Sequence, residues 1–258
     1  MTEKSIHVHV ASPVYNDQCY GSYTNSLLDL QGKLLRAGHE FSFNWSKNIS
    51  RIAKARNLLF NHFLLDQSAT HLLFVDSDIV FKAPDVMKML EYDHDIMVAL
   101  YSRKTINWEL VIKAVKNNPD LTPGTLPLLT ATFGTFNPLP GNYTVKVDEP
   151  LPIAAGGTGL MLIRRGVFTK MIDAYPELME PVSPLEAPYF PGIARLSALF
   201  NEITLPDGVT LGEDISFCKR WRDIGGEIFG CPWVKTSHLG TYEYTSDIRS
   251  IAEQALFD

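Results

Sequence analysis

The sequence predicts an α/β fold built on a mainly parallel sheet, and three observations lead there. Short, wholly apolar runs recur, His71-Leu72-Leu73-Phe74-Val75 and Ile96-Met97-Val98-Ala99-Leu100, the pattern of strands covered on both faces. Stretches with apolar residues at helical spacing separate them. The alternation of strand and helix continues through residue 101, as in sheets whose strands are joined by helical crossovers.

Each element has its own signal. Residues 6–14 are β-rich and stop at Pro13, which suits a strand end. Residues 23–35 have helical periodicity, with Gly38 as a C-terminal stop. Residues 41–45 alternate apolar and polar side chains, as a half-buried strand does. Ser50 is placed to cap a helix running through Ile52, Ala55, Leu59 and Phe63. Pro84 suits the first turn of a helix ending near Tyr92. Residues 108–115 read as a helix, and residues 153–163 as one strand interrupted by Gly156-Gly157-Thr158-Gly159. A helix over 213–224, a strand over 227–233 and a last helix over 247–256, expected to pack on the core, complete a single domain spanning 1–258. Irregular insertions lie around 103–152 and 176–210, the second holding six of the 16 prolines.

Composition narrows the function. With 45% hydrophobic and 20% charged residues among 258, disorder and fibrous architectures are excluded. The formal net charge of −6 comes without a basic stripe, so no nucleic-acid partner is expected. Cys19, Cys218 and Cys231 are odd in number and far apart, giving neither a disulfide framework nor a zinc site. The first residues lack the apolar core and cleavage site of a signal peptide. No apolar run reaches the roughly 20 residues that cross a bilayer. The expectation is a reduced, soluble, cytoplasmic protein without membrane contact.

Chemistry gathers at two places. Asp76-Ser77-Asp78 follows the most apolar run, and ligands of open α/β sheets bind outside the carboxyl ends of strands. Carboxylates two apart on an extended backbone point to one side and repel unless something positive lies beside them. A divalent cation carrying diphosphate oxygens meets that need. The plainer reading is that Asp-Ser-Asp starts a turn, and on these residues alone the two are balanced. Later, Thr210-Leu211-Gly212-Glu213 fits a capping box, with Thr210 as N-cap and Glu213 reaching back. Asp214 falls on one helical stripe with Phe217, Cys218 and Trp221. A favourable helix dipole, about 0.3–1 kcal/mol, does not require an Asp to face inward; a general base must face its substrate.

Together these pieces resemble the GT-A glycosyltransferases, and are similar to the family 2 enzymes and small viral and bacterial relatives. Residues 212–221 followed by Gly225-Gly226 resemble their ED…R…G segment. Pro13-Val14-Tyr15-Asn16 is similar to their P-x-Y-N turn, Asp76-Ser77-Asp78 to their D-x-D motif, and residues 156–164 to their glycine-rich strand. His238 sits where many of them place a further metal ligand.

The resemblance implies a GT-A (Rossmann-like) fold, a mixed, mainly parallel sheet flanked by helices. It also implies metal-dependent transfer of a sugar from a nucleotide-sugar donor, by analogy UDP-linked, to a hydroxyl of a glycan or other acceptor. Asp78 and His238 would hold the metal and Asp76 would contact the metal or the donor ribose; the ion would be Mn²⁺ in preference to Mg²⁺ because imidazole suits the softer ion. Asp214 would take the acceptor proton, a role worth about 10²–10⁴-fold in rate, in a single displacement with inversion; a retaining route stays open. Pro13, Tyr15, Arg56, Asn57, Ser77, Lys104, Gly156, Gly157 and Thr158 would face the donor, and Trp108 and Glu213 the acceptor. Tyr189 and Phe190 are expected in the core. His7, His9, His39, His62, His71 and His94 show no ligand spacing.

Two rivals remain. A sugar-nucleotide nucleotidyltransferase would need a glycine-rich, basic phosphate loop where Pro13-Val14-Tyr15-Asn16-Asp17 stands. A non-catalytic nucleotide-sugar-binding module would have no use for both Asp78 and Asp214.

Overall fold

The computed structural model describes residues 5–118, 120–126, 131–133, 136–138 and 145–242. The chain opens with β1 (His7–Val14), a 3₁₀ turn at Tyr15–Asp17, and α1 (Gly21–Arg36). Next come β2 (Glu40–Lys47), α2 (Ile52–Leu65), β3 (His71–Val75), the short β4 (Ile79–Val80), α3 (Ala83–Tyr92) and β5 (Ile96–Ala99). The middle holds β6 (Ser102–Ile106), α4 (Trp108–Asn117), β7 (Ala131–Phe133), β8 (Phe136–Pro138), β9 (Leu151–Gly156), β10 (Leu160–Arg164) and α5 (Arg165–Ala174). The last part holds β11 (Met179–Pro181), β12 (Arg195–Ser197), β13 (Ile203–Thr204), β14 (Thr210–Leu211), α6 (Glu213–Asp223), β15 (Ile228–Cys231) and β16 (Ser237–His238). The expected helix over 247–256 lies outside the described residues.

Eight strands form the central sheet in the order β2-β1-β3-β10-β5-β15-β9-β8. Strand β1 is parallel to β2 and β3, and β5 to β15, whereas β9 and β10 run against their neighbours. The sheet is therefore mixed with most strands running one way, the α/β, GT-A-like arrangement the sequence led us to expect. Helices cover both faces. Leu27, Leu30 and Leu34 of α1 and Val86 and Met89 of α3 pack with Val8, Val10 and Leu73 on one. Leu59, Phe60 and Phe63 of α2, Phe168 of α5 and Phe217 of α6 pack with Phe74 and Ile163 on the other. Alternate residues of β3 thus serve opposite cores, which is why Leu72 to Val75 are apolar without a break. No helix among the described residues is long and apolar enough to cross a membrane.

Several local expectations need correction. α2 begins without a side-chain cap, with Arg51 at its N-cap position; Ser50 lines a cleft instead. The glycine run is not a bulge inside one strand. It links β9 to β10, which β5 and β15 separate in the sheet, and a Cβ on Gly156 would come within 2.7 Å of Val98 Cγ1 of β5. The irregular segment 176–210 also builds the core, because it delivers Leu199 and Phe200 to it, both at 0% exposure. The Phe200 ring lies 4.3 Å from that of Phe217, nearly parallel to it. Full burial of such a side chain contributes roughly 1.5–3 kcal/mol, ample reason for a proline-rich segment to hold one course. Of the aromatics expected in the core there, Phe190 is buried and Tyr189 is exposed.

Candidate active site

Three elements end at one place. β3 runs out at Val75, and the chain turns at once, the Ile79 N–H donating to the Asp76 carbonyl at 2.9 Å. The Asp76 N–H donates to the Gly159 carbonyl at 2.9 Å, and the Leu239 N–H to the Asp78 carbonyl at 2.8 Å. The segment is thus pinned from both sides. Because it turns, strand alternation no longer applies, and the two carboxylates take different cationic partners instead of meeting one shared cation, as the extended-backbone argument required.

Asp76 is held by Arg56 of α2, with Nη2 to Oδ1 at 2.9 Å. The same guanidinium reaches Glu213 at the start of α6, with Nε to Oε1 at 3.2 Å, and lies over the Phe74 ring. Its side chain is only 3% exposed. Burial disfavours its charge, but the two carboxylates more than restore it and raise its pKa. Glu213 is therefore not part of a capping box. Gly212 is the N-cap of α6, and the Thr210 hydroxyl pairs with Thr204 across the β13–β14 hairpin. Among the described residues, the buried Arg56 Nη1 and Thr158 Oγ1 have no hydrogen-bond partner.

Asp214 follows Glu213 in the first turn of α6. Burial, then the neighbouring Glu213 charge, push its carboxyl above the usual range, against the Ile215 N–H and Arg56. A carboxylate with a raised proton affinity is what proton transfer near neutral pH calls for.

Asp78 has different company. Lys104 of β6 donates to its Oδ2, and His238 Nε2 lies 3.5 Å from its Oδ1. Burial would raise the Asp78 pKa; the His238 and Lys104 contacts outweigh it and lower it. His238 Nδ1 lies 2.7 Å from the Ser102 carbonyl. A carbonyl can only accept, so Nδ1 carries a proton and the Nε2 of a neutral ring would turn its lone pair toward a carboxylate. Two acceptors face to face require a proton or a cation between them. The raised pKa of His238, despite burial, reflects the first solution. An Nδ1–H held by a carbonyl with Nε2 presented outward is also the usual state of a metal-ligating histidine.

Asp78 and His238 therefore suit a divalent ion, whereas Asp76 is committed to Arg56. Among the described residues, no three His, Cys, Asp or Glu side chains gather as a ready metal site. The expected trio Asp76, Asp78 and His238 is thus not assembled in this structure, and an ion held by Asp78 and His238 would have to take its remaining coordination from substrate oxygens or water.

Beside these carboxylates opens a cleft of about 300 Å³, lined by Pro13 and Val14 at the end of β1, Tyr15 just after it, Ser46 near the end of β2, Ile49 beyond it, and Asp76, Ser77 and Asp78. Asn16 and Asp17 take left-handed backbone angles, with φ of 59° and 54°, which Asn and Asp tolerate better than other side chains. That bend ends β1 abruptly and leaves Tyr15 exposed at the cleft.

Other expected contacts lie elsewhere. Asn57 is buried, its amide bonded to Asn201 and the Phe200 N–H at 2.9 Å each, so it stitches α2 to the 195–201 segment instead of facing the cleft. Gly157 turns the position of its missing side chain onto Tyr101, since a Cβ there would lie 2.1 Å from the Tyr101 hydroxyl. Trp108 is exposed at the start of α4, a helix that buries none of its side chains. Sequence reasoning missed Tyr101, which roofs the glycine link. It accepts the Gly159 N–H at 3.0 Å and meets the His238 ring edge-on, with centroids 5.6 Å apart. Its position at the end of an apolar run was the available signal.

No family model matches the chain, and no curated protein does. Among solved structures, it is similar to A197 from STIV, at 14% identity over 92% of this chain and 87% of that one, with a TM-score of 0.49. A glycosyltransferase involved in the glycosylation of the major capsid of PBCV-1 shares 11% identity over 72% and 76%, with a TM-score of 0.30. S. aureus TarS 1-349 shares 12% over 87% of this chain and 58% of that one, with a TM-score of 0.36. Such distant likenesses leave function to the chain's own residues.

Proposed function

We propose that this chain is a glycosyltransferase that moves a sugar from a nucleotide-diphosphate donor, a UDP-sugar in the simplest case, to the hydroxyl of a glycan or similar acceptor. One observation carries the reading. Arg56 bonds both Asp76, which lines the cleft, and Glu213, and this bridge would set the proton-hungry Asp214, next to Glu213 in the chain, near the place where a donor would sit. In this reading Pro13, Tyr15 and Ser77 border the nucleotide, and Asp214 takes the acceptor proton as that oxygen attacks the anomeric carbon. Glu213, tied to Arg56, positions its neighbour and leaves the acceptor to other groups.

A divalent ion, Mn²⁺ by preference for imidazole, would be held by Asp78 and His238, and when bound it stabilises negative charge on the departing diphosphate. The chain's own cations, Arg56 and Lys104, offset the remaining acidic groups.

Calorimetric titration of UDP and GDP, with and without Mn²⁺, tests this. Wild type should bind one nucleotide tightly only with Mn²⁺, and Asp78→Asn should lose that dependence. Binding indifferent to both metal and Asp78 would sink the metal assignment, and no binding of either nucleotide would sink the proposed donor.

A further inference from the structure

Asp76 and Asp78 are both paired with protein cations, but the two pairs differ in kind. The Arg56 side chain is 3% exposed and bonded to two acids; breaking a buried pair is strongly unfavourable. The Lys104 side chain is 43% exposed and holds one carboxylate, itself 24% exposed. An exposed pair of this sort contributes little and parts readily. Asp76 is therefore fixed, and Asp78 is releasable.

Lys104 also has a prepared seat. It stands two residues beyond Ser102 on β6, whose carbonyl orients His238. Its aliphatic stem lies against Gly240, where a Cβ would come within 3.0 Å of Lys104 Cδ. With Lys104 on Oδ2 and His238 facing Oδ1, both oxygens of Asp78 are engaged. A divalent ion arriving alone must displace the ammonium and then sit beside it, with the single charge of the Asp78 carboxylate against three positive charges, the imidazole being a neutral ligand. A nucleotide diphosphate removes that conflict, because its oxygens complete the ion's shell and give the freed ammonium a new anionic partner.

We propose that Lys104 is a releasable counter-cation that keeps Asp78 from a metal until a nucleotide diphosphate arrives, and then moves onto the diphosphate, so that metal and nucleotide bind as a pair. This rests on the metal site of the proposed function and adds the order in which that site fills. Coupling of this kind is reciprocal: each ligand raises the affinity of the other by the same factor.

The test is Mn²⁺ titration, followed by electron paramagnetic resonance of the free ion, without and with UDP or GDP. Wild type, Lys104→Met, Lys104→Arg and Asp78→Asn are compared. Lys104→Met keeps the stem and removes the charge. It should tighten Mn²⁺ binding to nucleotide-free protein by about tenfold and shrink the metal–nucleotide coupling by a similar factor, within the usual range of such couplings. Lys104→Arg should behave as wild type. A merely structural lysine would not give tighter metal binding when lost. If Lys104→Met binds nucleotide-free Mn²⁺ no better than wild type, while nucleotide-loaded wild type still binds it through Asp78, the gate is overturned and the metal site stands. If nucleotide-loaded wild type shows no Asp78-dependent Mn²⁺ binding, the metal site and the gate fall together.

Discussion

At the scale of single residues, Asp214 has a stability signature as well as a catalytic one. Burial and Glu213 raise its pKa in the folded chain, so the folded state binds that proton more tightly than the unfolded state does. The ionised carboxylate then costs stability at neutral pH, and the cost disappears as pH falls through the raised pKa. Asp214→Asn should therefore raise the thermal midpoint at pH 7 while lowering transfer by about 10²–10⁴-fold and leaving nucleotide affinity intact. Scanning calorimetry beside a transfer assay checks both halves, and a lowered midpoint would make Asp214 a structural group. In wild type the acid limb of kcat/KM should lie above the ordinary carboxylate range, since the base works only when ionised. The residues of this site were legible unevenly in the sequence. Asp76, Asp78 and Asp214 stood out because isolated acids beside apolar runs need a reason. Arg56 looked like a donor contact because nothing local shows that a lysine- and arginine-bearing helix buries one guanidinium between two distant acids.

At the scale of elements, the link between β9 and β10 carries the clearest mechanical consequence. Gly157 and Gly159 pass beneath Tyr101, and a Cβ on either would enter its ring or hydroxyl. Gly157→Ala should destabilise the fold by roughly 1–3 kcal/mol, the usual cost of overpacking. Tyr101→Leu in the same chain should recover part of that loss. A urea-unfolding double-mutant cycle measures the coupling, and additive effects would mean the contact is not shared. Strands and helices with a strong period were readable: β1, α1, β3, α3 and β5 lie where apolar spacing placed them. What failed was non-local. Thr210-Leu211-Gly212-Glu213 satisfies a capping pattern, but pairing with Thr204 and the pull of Arg56 claim its two polar ends. Likewise, Gly156-Gly157-Thr158-Gly159 reads as one interrupted strand until β5 and β15 are known to lie between its halves.

At the scale of the whole molecule, the segment 176–210 changes meaning. The proline-rich sequence suggested an irregular insertion, but Asn57 and Asn61 of α2 and Arg220 of α6 bind its backbone at Ser197, Leu199, Phe200 and Asn201. It is a wedge between two helices that both carry parts of the site. A second molecule-wide feature is the position of β10, which stands between β3 and β5 although it follows both in the chain. A protein ending at residue 118 would own β3 and β5 without the strand that joins them. Such a fragment should lack a cooperative thermal transition by circular dichroism; a sharp transition would show that the N-terminal half folds alone.

The same strand order sets a timetable for biosynthesis. As the chain leaves the ribosome, β3 and β5 emerge long before Leu160–Arg164; β3, already beside β1, must wait with one edge unpaired, and β5, whose neighbours β10 and β15 both come later, with two. Nascent chains stalled in that interval offer bare strand edges to any neighbour, so yield in a host cell should be governed by how quickly translation traverses residues 100 to 164.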